Sequence, residues 1–84
     1  MVEGLVLYHF EGCPYCTLVR REIDALGLAI EMRDIRKNAV FHDELVRGGG
    51  KKQVPCLRIE NAGGPVTWLY ESQDIAAYLC ERFG

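Results

Sequence analysis

Cys13 and Cys16 are separated by Pro14 and Tyr15, at the point where the apolar run from Leu5 to Phe10 gives way to a helix-like segment. A C-x-x-C pair in that setting is suited to thiol–disulfide exchange. The start of a helix presents unpaired backbone N–H groups and the positive end of the helix dipole, and both favour thiolate over thiol. Cys13, at the junction, is therefore the expected nucleophile. Cys16 lies one turn further on, close enough to close a disulfide but less favoured by the free amides, which suits a resolving role. Pro14 fits the first helical turn, where its missing N–H is not needed. Tyr15 is expected on the solvent side of the loop, lining a groove. Cys56 follows Pro55 and reads as a small strand hydrophobe, with a third redox thiol as the alternative. Cys80 falls on a helical face with Ala76 and near Phe83 and is expected in the core.

Metal chemistry is the competing use of such a pair. Zinc would want a second cysteine pair or suitably spaced histidines, and only His9 and His42 are present, neither at short spacing from a cysteine. No metal and no bound cofactor is expected. His9, with Tyr8 and Phe10, is expected to pack in a strand. A disulfide framework is disfavoured by the irregular positions of the four cysteines, 13, 16, 56 and 80.

The elements that must position the pair can be read from pattern. Leu5 to Phe10 is a first strand, and the helix that follows places Val19, Ile23 and Leu26 on one face before Gly27 ends it. Ala29 to Asp34 is a second strand. Asn38 caps a second helix containing Phe41 and Leu45, which Gly48-Gly49-Gly50 should stop. Cys56 to Ile59 and Val66 to Leu69 form a hairpin across Asn61-Ala62-Gly63-Gly64-Pro65. Ser72 is expected to cap a last helix whose Ile75, Leu79 and Phe83 form an apolar stripe, with Asp74 in its first turn. The order β-α-β-α-β-β-α implies a four-stranded mixed α/β sheet, its first two strands parallel through a right-handed crossover and its last two antiparallel.

The chain has 84 residues, 49% of them hydrophobic and 26% charged, enough for one small globular domain over residues 1–84. A net charge of −2 supplies no attraction for nucleic acid or an anionic membrane. Apolar runs are far shorter than the ~20 residues that span a bilayer, and the start lacks a basic signal-peptide region, so the expected location is cytoplasmic. A monomer is expected.

Cys13-Pro14-Tyr15-Cys16 at the first strand–helix junction, with Val54-Pro55 opening the third strand, resembles a glutaredoxin of the thioredoxin-fold superfamily over the whole chain. The segment Tyr70-Glu71-Ser72-Gln73-Asp74-Ile75 is similar instead to the N-terminal domain of glutathione transferases, and Gly50-Lys51-Lys52-Gln53-Val54-Pro55 leans the same way. The resemblance implies a cis Pro55 facing the cysteines and a Val54 backbone that pairs with the cysteinyl part of glutathione. It further implies that Glu71 and Ser72, with Asp74 and Gln53, hold the γ-glutamyl end, and that Tyr15 lines the groove. Many glutaredoxins place a lysine just before the motif. Here Glu11 and Gly12 stand there, and Glu11 would oppose the thiolate if it pointed at Cys13.

The function these features imply is a glutathione-dependent thiol–disulfide oxidoreductase acting on glutathione mixed disulfides and protein disulfides, with glutathione as co-substrate and disulfide-bearing or glutathionylated proteins as partners. A glutathione-binding, transferase-like module is the alternative, although a complete transferase has a further helical domain. A module that binds a partner or an iron–sulfur cluster is a third class.

Overall fold

The computed structural model describes residues 2–84. The elements are β1 (Leu5–His9), α1 (Pro14–Ala25), β2 (Glu31–Asp34), α2 (Ala39–Gly49), β3 (Cys56–Ile59), β4 (Thr67–Tyr70) and α3 (Ser72–Phe83). They form a thioredoxin-like fold with the sheet order β2-β1-β3-β4. β1 and β2 run parallel, joined through α1, whereas β1–β3 and β3–β4 are antiparallel.

All five residues of β1 are buried, because this inner strand is covered on both faces. Alternation then divides its side chains between two cores. Leu5 and Leu7 pack with Leu57 and Ile59 against Val19 and Ile23 of α1 and Ile75 and Leu79 of α3. Val6 and Tyr8 face the other way, into a cluster with Cys56 and with Leu45 of α2, flanked by Phe41, Trp68 and Tyr70.

Element ends follow the local chemistry. Gly27, at φ 67°, closes α1 by donating to Asp24 C=O, while Leu28 N–H reaches Ile23 C=O. The Asn38 side chain accepts from Val40 N–H at 2.9 Å and caps α2. Asn61 ties the β3–β4 turn by donating to Pro65 C=O and Thr67 Oγ1.

Five expectations need correction. The second strand begins at Glu31, because Ala29 C=O is taken by Val2 N–H and Ile30 sits in the α1 core rather than in the ladder. The fourth strand is Thr67–Tyr70, one residue later than the pattern suggested. Gly48 and Gly49 do not stop α2. They continue it to Gly50, which takes φ 82° and donates to Val46 C=O. A Cβ at Gly48 would overlap the Trp68 ring and one at Gly49 the Tyr70 hydroxyl, so bare backbone is what lets the helix end lie against the sheet. Ser72 is the first helical residue of α3 and not its cap. Glu71 holds the cap position, with no side-chain capping bond. Cys80 is exposed, since the buried stripe runs through Ile75 and Leu79 and the next residue turns about 100° away from it.

Candidate functional site

β1 delivers the chain to the start of α1, where Cys13 takes an extended conformation and acts as the helix cap. Its Sγ accepts from the Cys16 N–H at 3.3 Å, the kind of contact that favours a thiolate. Cys13 is 5% exposed and Cys16 wholly buried. Burial first, and then the bond to Cys13, push the Cys16 thiol up to about 12. The two sulfurs are therefore placed unequally: both are buried, but Cys13 caps the helix whereas Cys16 lies within its first turn.

Glu11 does not serve as a charge aimed at the dithiol. Its carboxylate pairs with Lys37 at 3.0 Å, and both side chains are well exposed. Its N–H donates to Asp34, which also accepts from Arg36 and Lys37 N–H at 2.8 and 3.2 Å. Burial alone would raise the Asp34 carboxyl, but these N–H groups hold it below the usual carboxylate range.

Beside the motif lies a cavity of about 670 Å³, a size that suits a small organic ligand. Tyr15, Gln53, Val54, Pro55, Glu71, Ser72 and Asp74 all line it, so three distant segments meet here. Gln73 joins them, a residue that sequence reasoning passed over although it sits in the same first turn. Cys13 and Cys16 are not among the lining residues. Tyr15, 62% exposed, carries the motif to the cavity wall.

Each wall has its own chemistry. The Val54–Pro55 peptide is cis. Among the described residues, neither N–H nor C=O of Val54 bonds to another backbone group, which leaves a short free edge. The Gln53 side chain donates to Glu71 Oε1 at 3.1 Å and links that edge to the start of α3. Glu71 is the only non-glycine residue among those described with positive φ, at 72°. The first α3 bond runs from Ile75 N–H to Glu71 C=O, so the N–H groups of Ser72, Gln73 and Asp74 have no partner within the helix. Free N–H groups and the Glu71 and Asp74 carboxylates thus share one end of the cavity, complementary to a group that carries both a carboxylate and an ammonium.

The remaining candidates separate from this site. Cys56 faces the α2 side, fully buried beside Tyr70, and burial pushes its thiol up to about 12, as a packing residue's should be. Tyr8 is buried with its hydroxyl donating to Glu44 at 2.9 Å and accepting from Arg33 at 3.1 Å. His9 is buried at the end of β1, with Nδ1 3.0 Å from Arg20. Arg20 and Arg33, which the sequence analysis did not single out, are both half-buried and bonded. The spacing Arg20–Thr17–Cys13 along one helical stripe was the available signal for the first of them. No group of metal-ligating residues forms among those described, and no helix is long and apolar enough to cross a membrane.

Residues 7–84 match the family model described as glutathione S-transferase, N-terminal domain. The chain belongs to that family. Similar solved structures include a maleylacetoacetate isomerase from Anaeromyxobacter dehalogenans with glutathione bound in its active site, 28% identical over 95% of this chain and 38% of the other, with a TM-score of 0.72. A diazinon-metabolizing glutathione S-transferase of the silkworm Bombyx mori is 27% identical over 99% of this chain and 39% of the other, TM-score 0.73. An epsilon-class glutathione S-transferase of the housefly Musca domestica is 28% identical over 95% and 35%, TM-score 0.74. The chain thus spans less than two fifths of the length of these structures. No curated protein matches the sequence. The likeness falls on the transferase side, to which Tyr70-Glu71-Ser72 pointed, and not on glutaredoxin in particular.

Proposed function

We propose that this glutathione S-transferase N-terminal domain binds glutathione in the cavity between Tyr15 and Glu71 and presents its sulfur to Cys13. The observation that carries the reading is the meeting of free helix N–H groups with two carboxylates at one cavity end. A γ-glutamyl group bears a carboxylate and an ammonium on one carbon, so it needs donors and acceptors side by side. Ser72 offers its hydroxyl and N–H to the carboxylate, and Glu71 and Asp74 receive the ammonium. The free edge of Val54 pairs with the cysteinyl main chain as a short antiparallel strand. Glutathione bound in the bacterial isomerase supports this assignment.

At the sulfur, the reaction that fits Cys13 is glutathionyl transfer. Its thiolate attacks the glutathione sulfur of a mixed disulfide, the old S–S bond breaks, and the substrate leaves as a thiolate that takes a proton from water. A second glutathione thiolate then attacks the Cys13–glutathione disulfide, forming glutathione disulfide and restoring Cys13. Dithiol reduction of protein disulfides is the second reading, favoured by the hydrogen bond between the Cys16 and Cys13 side chains. Cys16 must lose a proton from a thiol held near 12 before it can attack, which places the one-cysteine route first.

Calorimetric titration of glutathione into wild type, Ser72→Ala and Glu71→Gln tests the cavity. Because Ser72 is not the cap, its loss should leave stability within about 0.5 kcal/mol while glutathione affinity falls about tenfold. Turnover of a small glutathione mixed disulfide should vanish in Cys13→Ser and persist in Cys16→Ser. Unchanged affinity in both cavity variants would overturn the binding assignment, and an active Cys13→Ser would overturn the nucleophile. Conjugation of an aryl halide by Cys13→Ser at wild-type rate would move the reading to simple electrophile transfer.

A further inference from the structure

From the end of β1 to the start of α1, through residues that do not line the cavity, runs a chain of polar contacts that the proposed reaction does not use. Thr17 donates twice to the Cys13 carbonyl, from its N–H at 3.1 Å and from its hydroxyl at 3.1 Å. With its one hydroxyl proton spent there, Thr17 Oγ1 is left to accept, and Arg20 Nη2 donates to it at 3.0 Å. The other arm of the guanidinium, Nη1, lies 3.0 Å from His9 Nδ1. Arginine has no acceptor, so Nδ1 carries no proton and the histidine proton sits on Nε2. His9 is itself fixed, buried at the end of β1 with its carbonyl held by Ile35 N–H at 2.9 Å. A line of directed bonds therefore joins the sheet to the backbone of Cys13.

We propose that Arg20 is a positioning residue, whose two-armed bridge from His9 to Thr17 fixes the Cys13 carbonyl and so keeps the first turn of α1 closed on the Cys13 sulfur. The proposal rests on Cys13 as nucleophile. The logic is geometric: Cys13 Sγ accepts from Cys16 N–H only while Cys13 and the first turn keep their relative angle. That angle is set at the Cys13 carbonyl, where Thr17 is the partner. A single threonine hydroxyl at a helix start can rotate to other acceptors, but one that also accepts from a braced guanidinium cannot do so without losing a second bond. Lysine offers one point of charge and no fork, and cannot reach both partners in the same way.

The test measures iodoacetamide alkylation of Cys13 against pH, located by mass spectrometry, in a Cys80→Ser background that removes the exposed thiol. Arg20→Met and Thr17→Val should each slow Cys13 alkylation at neutral pH by about twofold to tenfold, the span of one net hydrogen bond, and move the profile towards higher pH. The double variant should lose no more than the worse single, since both break one chain. Arg20→Lys should restore only part of the loss, and glutathione affinity by calorimetry should stay at the wild-type value in every variant. Wild-type alkylation profiles in folded Arg20→Met and Thr17→Val, or losses that add in the double variant, would overturn the proposal. Should Arg20→Met not fold, Thr17→Val alone decides, since it preserves shape. Loss of glutathione binding with an intact alkylation profile would also count against it, and retained binding with a wild-type profile leaves the cavity reading standing.

Discussion

Glu71 holds φ 72° and ψ 122°, a conformation that side chains other than glycine rarely adopt, and gains no capping bond in return. Such strain costs on the order of 1–3 kcal/mol and persists where the surroundings impose it. Here the imposition comes from the Gln53 bond and from the turn out of β4. Glu71→Gly should therefore raise stability by about 1 kcal/mol, or about 4–8 °C in melting temperature, while weakening glutathione binding through the lost carboxylate. A variant that melts lower would show that the Gln53 contact outweighs the strain. At the same scale, Glu11 is engaged by Lys37 in solvent, and an exposed pair has little reach. Glu11→Gln should leave the alkylation rate of Cys13 unchanged across pH. A clear acceleration would mean that the carboxylate acts on the sulfur after all.

Two elements set the site's shape, and each carries a prediction. The end of α2 approaches Trp68 and Tyr70 through bare glycine backbone, and the loop that follows supplies Gln53, Val54 and Pro55. Gly48→Ala would have to push the Trp68 ring aside, with an expected loss of about 1–3 kcal/mol in denaturant unfolding and a weaker glutathione titration. Gly50→Ala meets open space but a φ of 82°, so it should cost about 1 kcal/mol through the backbone alone. At the end of β1, burial first and then Arg20 lower the His9 pKa, while Asp34 and Glu11 act to raise it and Lys37 to lower it. A histidine whose folded pKa lies below its unfolded value of about 6.5 stabilises the fold above that pH, and the contribution is lost as pH falls. Unfolding free energies at pH 7.5, 6.5 and 5.5 should decline more steeply towards low pH in wild type than in His9→Gln. Parallel declines would show that His9 does not contribute.

For the molecule as a whole, the fold was legible because its signals are local and periodic. The C-P-Y-C junction, Gly27, Asn38 and the turn around Asn61 each fix an element end within a few residues. The cavity wall was legible from motif resemblance, with Gln73 alone overlooked. What the sequence hid were contacts between elements. The passage of α2 through Gly48 and Gly49 depends on two aromatic rings some twenty residues later. The cap role of Glu71 depends on a backbone angle that no propensity favours, and the engagement of Arg20 depends on His9, which lies on another element. The family assignment agrees with the resemblance of Tyr70-Glu71-Ser72, although the two cysteines are the louder signal.

The sheet order also divides the site by mechanical quality. Cys13 hangs from β1, the strand buried at all five positions and paired on both sides, whereas Gln53 and Val54 sit on a segment that follows the exposed residues Gly50 to Lys52. Amide protons of Leu7 and Tyr8 should exchange only through global unfolding, while those of residues 50–54 should exchange through small local openings. Glutathione would then bind between an anvil and a hinge. In hydrogen–deuterium exchange, its addition should slow residues 50–54 strongly and Leu7 hardly at all, and equal slowing of both would mean that the ligand acts on the stability of the entire domain.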